Sequence, residues 1–523
     1  MAMSSMAYPQ DLDLLAVAFI GVIFFLWWYS VARRGASRRL PAGPPGLPII
    51  GNLLAMGQFT HRGLAQLAKL HGGFFHLRVG FADVFVVSSP EVAREILHEQ
   101  DGLFSHRPVT AAMRYISYDL ADMAFARYGP FWRQMRKLCV VKLFSRQRDA
   151  SWRTVRGEVD ALVRSVAAAA GQPPGKVTDV GELIFGFSTK MTLRAAFGAQ
   201  SPEDEKTFFA IIREISEVFL AFNVADFVPL LGWLDLNGIN KRMKAARRAL
   251  DVVVDRIVDE HLDRWRNGDV SAADMVDDMI AYLADGPGGD TREDGVELRD
   301  LRLTRDNIKG LIMDIMFGGT ETAAATMEWG LLELLRNPVE LKRAQDELAD
   351  VVGLGRKVDE SDIEKLPYLR CVTKEVLRLH PPLPLLLRES LQDCVVGGGH
   401  VVVPRGSRVW INAWAMGRDE EHWRDGEAFR PARFAEESAG VGFTGGDFQY
   451  LPFGSGRRSC PGMQLGMYAV ELGLAQLLHC FDWSPPGGMQ PGELNAEDLF
   501  GLTAPMAVRL KAVPSPRLSC PLF

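Results

Sequence analysis

Leu14 to Ala32 is an unbroken run of uncharged, mostly apolar residues, flanked by Asp11 and Asp13 before it and by Arg33, Arg34, Arg38 and Arg39 after it. At the helical rise per residue such a run spans roughly the 30 Å of a hydrocarbon core. The basic cluster on its C-terminal side predicts an N-terminal transmembrane anchor over residues 1–33 with the body of the chain in the cytosol. A cleaved signal peptide would carry its charge ahead of a shorter apolar core, the reverse of the order here. Residues 34–51 form a basic, Pro/Gly-rich linker, because the four prolines of Pro41–Pro48 cannot continue a helix.

Beyond Gly51 the apolar positions recur mainly at three- and four-residue steps, which predicts helices. They are expected at Pro90–His98, Phe131–Phe144, Asp149–Ala169, Lys206–Phe222, Met243–Asn267 and Thr304–Leu335, with one or two more in Glu360–Leu379. Gly318-Gly319 should break the Thr304–Leu335 helix in the middle. Ser89-Pro90-Glu91 has the cap, N1 proline and acidic first turn of a helix start. Period-two alternation predicts hairpins at Phe74–Val79/Val84–Ser88 and Cys394–Val396/His400–Val403, and a strand at Ser407–Asn412. Asp285–Glu297 and Gly440–Gly446 read as loops. The pattern predicts one mainly α body, residues 52–523, with small peripheral sheets.

Composition alters this picture little. The 523 residues are 47% hydrophobic and 24% charged, as in ordinary globular proteins. A net charge of −6 argues against nucleic acid as the main partner. The six cysteines form no C-x-x-C pair, which disfavours zinc, and their wide spacing in so long a chain disfavours a disulfide framework.

The chemistry concentrates in Pro452-Phe-Gly-Ser-Gly-Arg-Arg-Ser-Cys-Pro-Gly462, which fills the skeleton F-x-x-G-x-R-x-C-x-G with Phe453, Gly456, Arg458, Cys460 and Gly462. Five fixed positions coincide on the order of once in 10⁴ chains of this length. The apolar stretch Met463–His479 places Cys460 at a helix entrance, where N–H groups and the helix dipole favour a thiolate. A thiolate is a strong axial donor to haem iron, and an arginine in the same loop suits a carboxylate. The bland alternative is a buried structural cysteine in a Gly-rich turn.

This loop resembles that of the cytochrome P450 superfamily, and other segments match the family in order. Phe317-Gly-Gly-Thr-Glu-Thr322 is similar to its oxygen-activation motif. The resemblance gives Thr322 a hydrogen bond to the activated dioxygen and makes Glu321 the relay for protons. Glu375-Val-Leu-Arg378 resembles the E-x-x-R motif, locked in the family by a later arginine, here Arg433. Trp132 and Arg136 match a W-x-x-x-R pattern that holds a haem propionate, and Arg388 is placed to reach the other. The resemblance thus implies the cytochrome P450 fold, haem b with Cys460 as axial ligand, and Arg458, Phe453 and Gly456 around it. It also implies dioxygen and NADPH chemistry fed by a separate NADPH–cytochrome reductase, and an endoplasmic reticulum membrane location. A basic face of Arg133, Lys137, Lys142, Arg457 and Arg458 suits reductase docking.

Within the family the chain is most similar to plant ferulate (coniferaldehyde) 5-hydroxylases. The stretches carrying this are Leu64–Ala68, Asp122-Met-Ala-Phe-Ala126, Ala221–Asp226, Met313-Asp-Ile-Met-Phe317, Pro384–Leu387 and Phe500-Gly-Leu-Thr-Ala-Pro505. That resemblance implies hydroxylation of a phenylpropanoid ring on the way to syringyl lignin, with a small phenolic substrate. It implies a pocket walled by Ile116, Phe317, Leu385, Leu386 and Leu502. The rival readings are another aromatic hydroxylase such as a flavonoid 3'-hydroxylase, a haem-thiolate isomerase or dehydratase, and a non-catalytic haem sensor.

Overall fold

The structure is a computed structural model that describes residues 21–22, 25, 40–47, 50–145, 149–171, 175–198, 202–220, 223, 226–227, 235, 238–268, 274–283 and 301–522. Gly21, Val22 and Phe25 are thus the only described part of Leu14–Ala32, and the Asp285–Glu297 loop lies outside the description. Among the described residues, no helix is long and apolar enough to cross a membrane.

Helix α1 (His61–His71) leads into the hairpin of β1 (Phe74–Val79) and β2 (Ala82–Val87), followed by the short helices α2 (Pro90–Arg94) and α3 (Ala111–Ile116). The helical body continues through α4 (Pro130–Leu138), α5 (Asp149–Ala170), strand β3 (Thr178–Asp179), α6 (Val180–Phe197), α7 (Pro202–Leu220), α8 (Ile239–Arg266) and α9 (Met275–Ile280). Next come α10 (Arg305–Arg336), α11 (Pro338–Val352) and α12 (Pro367–Leu379). The strands β4 (Leu385–Glu389), β5 (Cys394–Val396), β6 (Val401–Val403) and β7 (Arg408–Asn412) then lead to α13 (Ala413–Met416). After the cysteine loop come α14 (Met463–Cys480), β8 (Phe481–Ser484) and β9 (Lys511–Pro516).

Helix α10 is the axis of the body. It is apolar nearly all round, which a helix tolerates only when other elements surround it. It packs on α6 and on α14, α12 and α11. Thr304 and Asn307 close its N-terminus as a reciprocal capping box. The expected break at Gly318-Gly319 is absent, and α10 is continuous from Arg305 to Arg336. The reason is tertiary: a Cβ at Gly319 would sit 2.9 Å from Thr192 Oγ1 of α6. That glycine permits close helix packing, and packing outweighs its weak intrinsic helix propensity.

The main sheet runs in the order β1-β2-β7-β4. β2 pairs parallel with β7, while β1 and β4 are antiparallel to their neighbours. Strand β4 was not expected, because Leu385-Leu-Leu387 lacks alternation. The unexpected pair β8/β9 is short and contains proline. The segments Pro90–His98 and Phe131–Phe144 both finish in a π turn, at Glu95–Glu99 and Cys139–Leu143, rather than as regular α-helix. The Gly440–Gly446 segment is irregular, as its glycines predict.

Candidate haem-thiolate site

The cysteine loop is closed by its own backbone. Cys460 N donates to Phe453 O at 2.9 Å, and Ser459 N donates to Gly456 O at 3.1 Å. Gly456 has φ +69°, and a Cβ there would meet Leu97 O at 2.5 Å and Asp101 Oδ1 at 2.6 Å. Asp101 also accepts from Arg457 N at 3.0 Å and from the Arg457 guanidinium at 2.9 Å. Phe453 stands edge-on to Phe443 beside the loop. Cys460 lies two residues before Gly462, the cap of α14. It retains accessible surface. Even so, burial pushes its thiol up, against the Gly462 N–H and the Arg136 charge. The Gly462 N–H and the Arg136 charge act in the thiolate's favour, and a bound metal ion would add to them.

Around this loop four arginines converge. Arg458 donates to Ser105 O at 2.9 Å, Met123 O at 3.1 Å and Ala126 O at 2.5 Å. It lies over the Trp132 ring, 4.4 Å from its centroid. Trp132 Nε1 donates to Met123 O at 2.9 Å, so its one N–H is held by the same segment. Arg136 donates to Ser459 Oγ at 3.4 Å. Arg388 of β4 donates to Ser455 O at 3.3 Å. Arg107 completes the group, and nothing in its local sequence marks it out. Arg458 is buried in these contacts and takes no part in a surface dock with Arg133, Lys137, Lys142 and Arg457.

These cations repel one another in a dry environment. Burial, then Arg107 and Arg388, push Arg458 down to about 8. Burial and Arg107 push Arg388 down to about 9. Burial also lowers Arg107 and Arg136. A guanidinium keeps its proton in proteins, so this stress expresses a demand for anionic partners. Arg107 Nε and Arg388 Nε are buried without a hydrogen-bond partner among the described residues. Two carboxylates beside a cysteine ligand answer both needs, and the propionates of haem are such a pair.

On α10, Thr322 Oγ1 donates to Gly318 O at 2.7 Å, the ordinary back-bond of a helical threonine. Glu321 is buried and accepts from Thr503 Oγ1 at 2.5 Å and from Ser216 Oγ at 3.3 Å. Sequence reading did not single out either hydroxyl as a partner of Glu321. Thr503 lies inside the Phe500–Pro505 stretch, whereas Ser216 carries no local signal.

Glu375, Arg378 and Arg433 form an enclosed ion cluster whose side chains are all 0% exposed. Glu375 binds Arg378 in fork geometry at 2.7 and 2.8 Å, and Arg433 Nε reaches the same carboxylate at 3.1 Å. The spare guanidinium N–H groups end on carbonyls of Gly417, Gly426, Ala428 and Arg424. This ties α12 to the segment preceding the cysteine loop.

The five proposed pocket residues are not all brought together. Ile116 belongs to the main helical core, with Phe317 packed against that core. Leu385 and Leu386 are successive strand residues and face opposite ways. Leu386 shares its face with Arg388, and its Cδ1 lies 3.9 Å from the position of a Gly454 Cβ. Leu385 instead packs with Phe75, Leu77 and Val84 under the sheet. Leu386 is buried too, with Phe85, Val87 and Ile96, so the two leucines lie in separate core clusters on opposite faces of β4 and do not form one wall together. Leu502 is half-buried next to Thr503. A surface cleft of about 480 Å³ near α3 and α8 contains none of these residues.

The comparisons with known proteins agree with this geometry. A family model described as Cytochrome P450 matches residues 41–508. Cytochrome P450 84A1 of Arabidopsis thaliana is 55% identical over 97% of this chain and 96% of its own length. The Arabidopsis flavonoid 3'-monooxygenase is 37% identical over 97% of each chain. A solved zebra fish cytochrome P450, in a structure with abiraterone, superposes with a TM-score of 0.71 at 26% identity, covering 87% of this chain and 99% of its own. With a cysteine loop, a buried arginine cradle and an acid–alcohol pair on its central helix, this chain belongs to the cytochrome P450 family and is a haem-thiolate monooxygenase.

Proposed function

We propose that this enzyme hydroxylates the guaiacyl ring of a phenylpropanoid (ferulate, coniferaldehyde or coniferyl alcohol) at C5, the step that leads to syringyl lignin units. One observation carries the reading: three stretches that resemble plant ferulate 5-hydroxylases frame the site. Asp122–Ala126 provides the carbonyls that hold Arg458 and Trp132. Met313–Phe317 precedes Glu321 on α10. Phe500–Pro505 carries the Thr503 that binds Glu321.

Bound haem, with electrons from NADPH through a flavoprotein reductase, supplies the oxygen-activating chemistry. The chain's own residues do the rest. Arg107, Arg136, Arg388 and Arg458 hold the propionates, and Cys460 the metal. Leu386 and Phe317 offer apolar surface to a flat ring and exclude water. Glu321, steadied by Thr503 and Ser216, delivers protons toward Thr322, whose hydroxyl oxygen can accept a hydrogen bond while its own hydrogen stays on Gly318 O. The Leu14–Ala32 segment anchors the enzyme once in the endoplasmic reticulum membrane, with the catalytic body in the cytosol.

The test is turnover of coniferaldehyde by microsomes carrying this chain with a plant reductase and NADPH, read by product mass. A 5-hydroxylated product supports the assignment. No product from any of the three guaiacyl substrates, with haem incorporated, overturns it. The likeness to flavonoid 3'-monooxygenase makes hydroxylation of a flavonoid B-ring the second reading, separated by the same product analysis.

A further inference from the structure

Asp122 is a fully buried carboxyl and Asp314 a half-buried one, and no step above uses either. Asp314 lies on α10, two helical turns before Thr322. Its Oδ2 accepts from Met123 N at 2.8 Å and from Ala124 N at 3.0 Å. Asp122 Oδ1 accepts from Phe125 N and Ala126 N, each at 3.1 Å. The two acids are close enough to feel each other's charge across the gap between the 122–126 segment and α10, and Asp122 Oδ2 is buried without a hydrogen-bond partner among the described residues. Contact there is close, since a Cβ at Gly310 would lie 3.1 Å from Asp122.

The same short segment faces the other way with its carbonyls. Met123 O accepts from both Trp132 and Arg458, and Ala126 O accepts from Arg458. The N–H side of one peptide stretch is thus fixed to α10 while its C=O side fixes the arginine cradle. We infer that Asp314 is a positioning residue: with Asp122 it clasps residues 122–126 to the central helix and so sets where Arg458, stacked on Trp132, stands to receive a haem propionate.

The clasp carries a proton. Burial and the neighbouring Asp314 hold the Asp122 carboxyl well above its usual range. Burial raises Asp314 too, opposed by the Ala124 and Met123 amides and by Arg107. The groups facing the pair are Arg107 and Arg458 from the cradle and Cys139 beyond α4. Two neighbouring carboxyls held largely out of water titrate as a pair, and the pair keeps a proton above the ordinary aspartate range. The unfolded chain loses that proton near the ordinary aspartate value, about 3.9. The folded state therefore binds it more tightly, and the clasp's contribution is lost as pH rises through the folded value.

The test uses the full-chain holoenzyme and two variants. Haem loss is read as transfer to excess apomyoglobin across pH, and the resonance Raman bands of the propionates report their surroundings. Asp314→Ala should speed haem loss by about tenfold, the scale of lost hydrogen bonds to a charged group, and shift the propionate bands. Asp122→Asn imitates the protonated acid: it carries no charge toward Asp314, and its oxygen still accepts from Phe125 and Ala126. It should hold haem like the parent and lose the alkaline acceleration. If Asp314→Ala does not fold, the Asp122→Asn profile alone decides. Parental haem loss and unshifted bands in Asp314→Ala, or an Asp122→Asn protein that sheds haem rapidly or keeps the alkaline limb, overturns the inference.

Discussion

Thr503 Oγ1 donates to Glu321 Oε2 at 2.5 Å, joining residues 182 positions apart in the chain. With Ser216 on the same oxygen, the carboxylate is held by hydroxyls from two other segments. A carboxylate so held serves as a proton donor only if its orientation is kept. Glu321→Gln should cut product formation by about 100-fold, within the range of general acid–base catalysis, while NADPH oxidation continues toward peroxide. Thr503→Val should uncouple in the same direction and to a lesser extent. The measurement is product formed per NADPH consumed; unchanged coupling in both variants removes the proton-delivery role.

Glu375 binds two buried guanidiniums at once. Removing one partner of such a cluster leaves charge uncompensated, at a cost of about 3–5 kcal/mol. Glu375→Ala should therefore lower the unfolding midpoint sharply and leave much of the chain without haem. Thermal unfolding and the reduced carbon monoxide spectrum check this together. A variant with parental stability shows that the cluster is dispensable.

Leu385 and Leu386 should respond differently to the same change. Leu385→Ala opens a cavity beneath the sheet and costs about 2–5 kcal/mol of stability, with substrate-induced spectral shifts unaltered. Leu386→Ala should alter those shifts and weaken substrate affinity. Identical binding titrations for the two variants would remove Leu386 from the pocket wall.

His261 Nε2 lies 2.7 Å from Asp274 Oδ2, joining α8 to α9. Burial disfavours the imidazolium, yet the hydrogen bond and charge of Asp274 outweigh it and raise the histidine above its ordinary value. A raised folded value means that the pair's contribution is complete below about 6.5, the unfolded histidine value, and is lost as pH rises through the folded value. The melting temperature should fall over that window in the parent and lose that slope in His261→Gln. Equal slopes in the two proteins refute the linkage.

The sequence by itself determined the local chemistry of this protein. Phe453, Gly456, Arg458 and Cys460 are contiguous, and Glu375–Arg378 is one helical turn, so their spacing survives in one dimension. The long helices and the β1/β2 hairpin were legible because one buried face writes a period into the chain. Tertiary structure decided what depends on partners distant in sequence. Gly319 packs against Thr192 instead of breaking α10. Arg107 joins the cradle and Ser216 binds Glu321 without any local signal. Arg136, far away in the chain, adds its charge beside Cys460 to the N–H of Gly462. Leu385 and Leu386 are chemically identical neighbours, and only the pairing of β4 with β7 sends them into different core clusters, Leu386 on the face it shares with Arg388. Desolvation, long-range hydrogen bonds and the choice of strand face all arise when separate segments meet, and no window along the chain contains them.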